Sequence, residues 1–141
     1  MTEGMEPSAI RSIAVTADDV VTAVERTLRS DDEVVLRVTP PFAGRMRARI
    51  HRVTADEYGE PAPIHVEPTE LIEGLPEYPE PGETEDELRD DPEREYSPDR
   101  HREYHQQIVE EWRTTVRERI TGEAVLQWDD ERHRVAVKRL G

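Results

Sequence analysis

The clearest chemical pattern in this sequence is a run of arginines inside an acid-free window, residues 34–55. Acidic residues make up 33 of the 141 positions, so a window of this length without one stands out. Because the planar guanidinium group can bind a phosphate or a carboxylate through two parallel hydrogen bonds, the window predicts a surface that binds anions. The window contains Arg37, Arg45, Arg47, Arg49 and Arg52.

Strict alternation of residue types predicts that most of these arginines share one face of a β-sheet. In residues 45–51, polar and apolar side chains alternate, and successive side chains of a strand point to opposite faces. Arg37 joins that face if Leu36 and Val38 of the preceding strand point to the core. The C-terminal strand adds Arg134 and Lys138. The predicted binding residues are therefore Arg37, Arg45, Arg47, Arg49, His51 and Arg134.

Three interpretations of the arginine-bearing face stay open. The arginines could solvate an open sheet and pair with acids of residues 56–95 or of a second copy of the chain. They could bind a phosphate-bearing ligand or RNA, although the strands lack the exposed aromatic pairs on which nucleic acid bases stack. The third interpretation is a docking surface for an acidic protein partner.

Other kinds of chemistry find little support. His101 and His105 lie four residues apart on a predicted helix, a spacing that metal ligands use, but a third ligand would have to come from elsewhere in the chain. We regard them as weak metal candidates. The chain has no cysteine, and it lacks the glycine-rich phosphate loop and the nucleophile elbow. We therefore expect no cofactor and assign no catalytic residue.

The acidic surplus is confined to one part of the chain. The formal net charge is −14, and residues 56–103 hold 18 acids against 4 bases, a surplus of 14. Lys138 is the only lysine among 19 basic residues. A carboxylate-rich surface of this kind is typical of proteins that work in molar salt, where long-range charge repulsion is screened to about 3 Å. We interpret the composition as halophilic.

The pattern of elements predicts a single α+β domain over residues 1–141. Helices are expected over 16–30 and from 98 to about 120, each followed by a hairpin. The resulting fold is a two-layer sandwich, with an antiparallel sheet of about four strands and two helices on one face. Residues 1–15 are predicted to be an N-terminal extension. Residues 60–97, rich in proline and glutamate, are predicted to be an inserted loop or linker, with a short strand allowed at 63–66.

The run VLRVTPPFAGRMRARIH, residues 35–51, together with the composition resembles small haloarchaeal proteins of uncharacterised families. The resemblance carries over no functional residue. From the residues themselves we expect a non-catalytic binding or adaptor module, located in the cytoplasm and not in a membrane. A protein partner or a homo-oligomer is the favoured assembly. The alternative is a small enzyme or enzyme subunit for a phosphorylated or other anionic substrate, with a concave pocket that joins Arg45 or Arg47 to His51 or His133.

Overall fold

The computed structural model describes residues 6–54 and 63–141. The first five residues of the predicted extension and residues 60–62 of the predicted linker lie outside these ranges. The described residues form short 3-10 turns at Pro7–Ala9 and Pro68–Leu71. The helices are α1 (Ala17–Arg29), α2 (Pro81–Asp90) and α3 (Pro98–Glu118). The strands are β1 (Ser12–Thr16), β2 (Val34–Val38), β3 (Arg45–Arg47), β4 (Arg49–Arg52), β5 (Ile64–Val66), β6 (Glu123–Trp128) and β7 (Glu131–Leu140).

The strands form two sheets. The mixed sheet has the order β3-β1-β7-β6, in which β1 is parallel to both neighbours and β6 is antiparallel to β7. The second sheet is antiparallel and has the order β4-β2-β5. The predicted α+β class is confirmed, but the predicted arrangement, one antiparallel sheet with two helices on one face, is wrong. The third helix, α2, and the strand β1 lie in segments that were expected to be linker and extension.

Residues 45–52 leave one sheet and enter the other at Ala48. β3 pairs with β1 in the mixed sheet, and β4 pairs with β2 in the antiparallel sheet. Between them, the Ala48 amide donates a hydrogen bond of 2.9 Å to the Ala14 carbonyl oxygen, and the Ala48 side chain is fully buried. Because of this change of sheet at Ala48, residues 45–54 do not form a simple hairpin with β2.

The two long helices begin at the caps that the sequence predicts. The Thr16 hydroxyl accepts a hydrogen bond of 3.1 Å from the Asp19 amide, and the Ser97 hydroxyl accepts one of 3.1 Å from the Arg100 amide. These bonds satisfy backbone donors that have no partner inside a helix. Both helices bury one side: α1 through Ala17, Val20, Val21, Ala23 and Val24, and α3 through Val109, Trp112 and Val116.

The apolar core lies between the inner faces of the two sheets and these helices. Its members include Ile13 of β1, Val20 of α1, Leu36 of β2 and Val116 of α3, all of which are fully buried. β5 and the 3-10 turn that follows it also contribute, through Ile64, Val66 and Leu71. Within the described ranges, no helix has both the length and the apolar composition to cross a membrane.

Candidate functional site: a cationic sheet face

The predicted binding residues do not form one surface, because the strand that carries most of them changes sheets. Arg45 and Arg47 belong to β3 in the mixed sheet, whereas Arg49 and His51 belong to β4 in the antiparallel sheet. The predicted set is therefore divided into two groups. Arg45, Arg47 and Arg134 lie in the mixed sheet, and Arg37, Arg49 and His51 lie in the antiparallel sheet.

The group in the mixed sheet is part of a larger cationic surface. Alternation and register place its members on the side opposite to the buried Ile13, Val15, Val135 and Val137. Two further basic residues of β7 share that side, one of which, Arg132, the sequence analysis did not select. We call this surface the cationic face. It comprises Arg45, Arg47, Arg132, Arg134 and Lys138.

The cationic face is deficient in acids. Glu123 of β6 is the only acidic residue on this side of the described strands, and its carboxylate lies 3.8 Å from the Arg134 guanidinium group. Within the described ranges, no carboxylate lies within 4.0 Å of Arg45, Arg47, Arg132 or Lys138. In a protein with a net charge of −14, these cations are electrostatically uncompensated at close range.

Arg47 carries a further sign of incomplete pairing. Its Nε atom is buried and has no hydrogen-bond acceptor in the described structure. A buried donor without a partner costs on the order of 1–3 kcal/mol. An anionic group that drew the Arg47 side chain outward would both expose this nitrogen and supply its acceptor.

The second group, Arg37, Arg49 and His51, lies on the outer face of the antiparallel sheet together with a second histidine, His65. Arg37 lies opposite Arg49 on one side and opposite His65 on the other. The Arg37 Nη1 atom lies 3.0 Å from the His51 Nε2 atom, and a guanidinium group can only donate, so this ring nitrogen accepts. The His51 and His65 ring centroids are 6.1 Å apart. His65 is the member of this cluster that the sequence pattern did not assign to it.

His101 and His105, the weak metal candidates, contact a hydroxyl group instead. His101 Nε2 and His105 Nδ1 each lie 2.9 Å from the buried Thr84 Oγ1 atom of α2. The same hydroxyl is 3.1 Å from the Pro81 carbonyl oxygen, to which it can donate. The two rings therefore hold α2 against α3. Among the described residues, no group of three or more potential ligands could hold a metal ion.

The pocket expected for an enzyme does not form from the residues named for it. His133 points to the inner side of β7, where its Nε2 atom donates a hydrogen bond of 2.6 Å to the Ile10 carbonyl oxygen. His51 belongs to the other sheet, beside Arg37. Neither histidine shares the cationic face with Arg45 and Arg47.

A buried ion pair that the sequence reasoning missed joins α1 to α3. Arg113 Nε and Nη2 donate to the two carboxylate oxygens of Glu25, at 2.8 and 2.9 Å, and the Tyr78 hydroxyl donates to Glu25 Oε2 at 2.8 Å. The hydrogen bonds from Arg113 lower the pKa of Glu25, against the opposing effect of burial. Burial and the contact with Glu25 raise the pKa of Tyr78 to about 12. One feature of the sequence could have indicated that Glu25 is buried: it falls on the apolar side of α1, one turn after Val21.

The same ion pair borders a groove of about 630 Å³ between α1 and α3. Four arginines line it, but so do three acids, and most of these charges pair with one another. Arg113 is bound to Glu25, and Arg117 donates to Asp18 at 2.5 Å. The groove is therefore close to neutral, and its charged groups mainly connect the two helices.

Comparison with known proteins identifies a family and adds no activity. Searches of curated proteins and of solved structures gave no match. A family model matches the whole sequence, residues 1–141. The chain accordingly belongs to the family described as "Domain of unknown function (DUF8009)".

Proposed function

We propose that this protein is a non-catalytic binding module that contacts an acidic protein partner through the cationic face of its mixed sheet. One observation carries the proposal: four cations of this face have no carboxylate within 4.0 Å in the described structure, in a chain with 33 acids. Because these cations form no ion pairs within the described structure, they can form them with an anionic surface of another molecule.

One feature favours a protein over RNA as the partner. The outward positions of β1, β3, β6 and β7 carry no aromatic side chain, so bases have no stacking platform there. The enzyme alternative loses support because Arg45 and Arg47 do not share a pocket with His51 or His133.

We also propose that the protein is halophilic and that it is located in the cytoplasm. Acidic surface residues would keep the protein dispersed in concentrated salt, and the charge contrast between them and the cationic face would direct binding. At high salt only opposite charges in direct contact still attract each other appreciably, because the Debye length is about 3 Å at 1 M.

Binding to two anionic probes of matched length tests the proposal. The probes are a labelled glutamate-rich peptide and a labelled single-stranded oligouridylate, each measured by fluorescence anisotropy. The variant R45Q/R47Q removes two charges of the cationic face. The control R100Q/R102Q removes two arginines from α3, both of which pair with acids on that helix or just before it.

We expect R45Q/R47Q to bind the peptide about fivefold more weakly than the wild type, as the loss of two ion pairs at the protein surface implies. The control should bind within about twofold of the wild type. Equal losses in the two variants would contradict a role for the cationic face. Stronger binding of the oligouridylate than of the peptide would contradict a protein partner.

A further inference from the structure

The outer side of the mixed sheet lacks a covering layer in the described structure. β1 lies between two parallel neighbours, β3 and β7, and parallel strands are nearly always covered on both faces. Here the core covers only the inner side. On the outer side, Ala14 and Ala136 are half-buried, and Leu140 is 44% exposed. The sheet therefore has room for one more layer.

The uncovered side has the form of a shallow trough. Register aligns Arg47, Ala14 and Lys138 in one row across three strands, and Arg45, Ser12 and Ala136 in the next row. The cations of β3 and β7 thus stand two strand spacings apart, about 10 Å, with small side chains between them. An α-helix with its side chains is about 10–12 Å wide, so one helix fits along this floor.

The chain itself carries a helix of matching length and charge. α2 spans 10 residues, about 15 Å, and β1 spans 5 residues, about 16 Å. The buried positions of α2 are Thr84, which contacts two histidines of α3, and Leu88, which lines a cavity together with residues of α3. Three acids at spacings of three and four residues form a stripe on the side turned away from α3. They are Glu83, Asp86 and Asp90.

These acids are as unpaired as the cations of the sheet. Within the described ranges, no basic group lies within 4.0 Å of Glu83, Asp86 or Asp90. The acids of α2 that do have partners lie elsewhere on the helix: Glu85 pairs with Arg89, and Glu87 accepts a hydrogen bond from Tyr104. Within the described ranges, each molecule therefore presents an acidic stripe and a cationic trough whose named charges have no oppositely charged group within 4.0 Å.

We infer that α2 of a second copy of this chain docks in the trough, with its acidic stripe against the cationic face. The inference rests on the proposed function and names its partner. Three observations support it: the two surfaces have complementary charges, the parallel strands are uncovered on their outer side, and α2 matches the trough in length and width. Because each copy carries both surfaces, the contact can be made twice within a dimer or repeated along a chain of copies.

Reciprocal charge reversal tests this contact by sedimentation velocity. The sheet variant R45E/K138E makes the trough acidic, and the helix variant E83R/D86R makes the stripe basic. All four residues are exposed, and far-UV circular dichroism checks that each variant folds. The wild type should associate as its concentration rises, whereas neither variant alone should, because each then opposes like charges.

An equimolar mixture of the two variants should associate again, since the acidic helix of one meets the basic trough of the other. Association of either variant alone, or a folded mixture that stays monomeric while the wild type associates, would overturn the inference. A wild type that stays monomeric at all concentrations would overturn it as well. The proposed function fails separately: E83R/D86R keeps the cationic face, so its binding of the glutamate-rich peptide reports on that face alone.

Discussion

Replacing Glu25 by glutamine should destabilise the fold more than the same substitution at an exposed glutamate of the same helices. The Glu25 side chain is only 11% exposed and accepts three hydrogen bonds, two from Arg113 and one from Tyr78. Breaking a fully buried ion pair costs about 3–5 kcal/mol. Arg113 is 37% exposed, so solvent screening reduces this cost, and we expect the Glu25→Gln variant to lose about 2 kcal/mol.

The assay is urea unfolding at constant salt, followed by tryptophan fluorescence because Trp112 lies next to Arg113 in sequence and contacts the Tyr78 ring. Glu110→Gln is the matched control. Glu110 also receives a hydrogen bond from Arg113, but its side chain is 60% exposed. We expect this control to lose less than about 0.5 kcal/mol.

The pH dependence of the unfolding free energy tests the Glu25–Arg113 ion pair in a second way. Arg113 holds the pKa of Glu25 below its ordinary value of 4.5, so the ion pair stabilises the fold above pH 4.5. This stability is lost as the pH falls below 4.5 through the lowered pKa of Glu25. The difference in unfolding free energy between wild type and Glu25→Gln should therefore shrink on acidification. Equal losses in Glu25→Gln and Glu110→Gln, or a difference that is constant down to acid unfolding, would refute this account.

Two further substitutions test the hydrogen bonds of the Tyr78 and Thr84 hydroxyl groups. Tyr78→Phe should cost about 1 kcal/mol at neutral pH. In the wild type the pKa of Tyr78 is raised to about 12, so stability should fall as the pH rises from 10.0 through that value; alkaline urea titrations should show this fall reduced in the variant. Thr84→Val should cost about 1–2 kcal/mol, because it removes the buried hydroxyl group that contacts His101 and His105 of α3. Hydrogen exchange should then quicken in α2, whereas the control Thr115→Val, which removes an exposed hydroxyl, should leave α2 unchanged.

Features that depend on neighbouring residues could be predicted from the sequence. The caps at Thr16 and Ser97 satisfy donors only three residues away, so their residue types report the helix starts directly. The alternation in residues 45–52 likewise indicates strand geometry. It predicts correctly that Arg45 and Arg47 share a side, and that Arg37 and Arg49 share a side.

Features that depend on distant partners could not be predicted. β1 is five residues long, and its parallel neighbour β7 lies more than a hundred residues later, so no local pattern links them. Alternation continues unbroken through Ala48, although the hydrogen-bond partner changes there from β1 to β2. Glu25 and Arg113 are 88 residues apart, and neither residue type indicates the other. Such pairings are decided by which surfaces pack together in the complete fold.

The passage of one continuous strand between two sheets also constrains how this protein can evolve. Most β-proteins accommodate insertions in the turns between strands, but residues 45–52 serve two sheets with no turn between them. One inserted residue beside Ala48 would shift the alternation of either β3 or β4 by one place. Arginines would then face the core, and Met46 or Ile50 would face water. The fold therefore restricts the length of this segment, and its two basic surfaces can change more easily by substitution than by insertion.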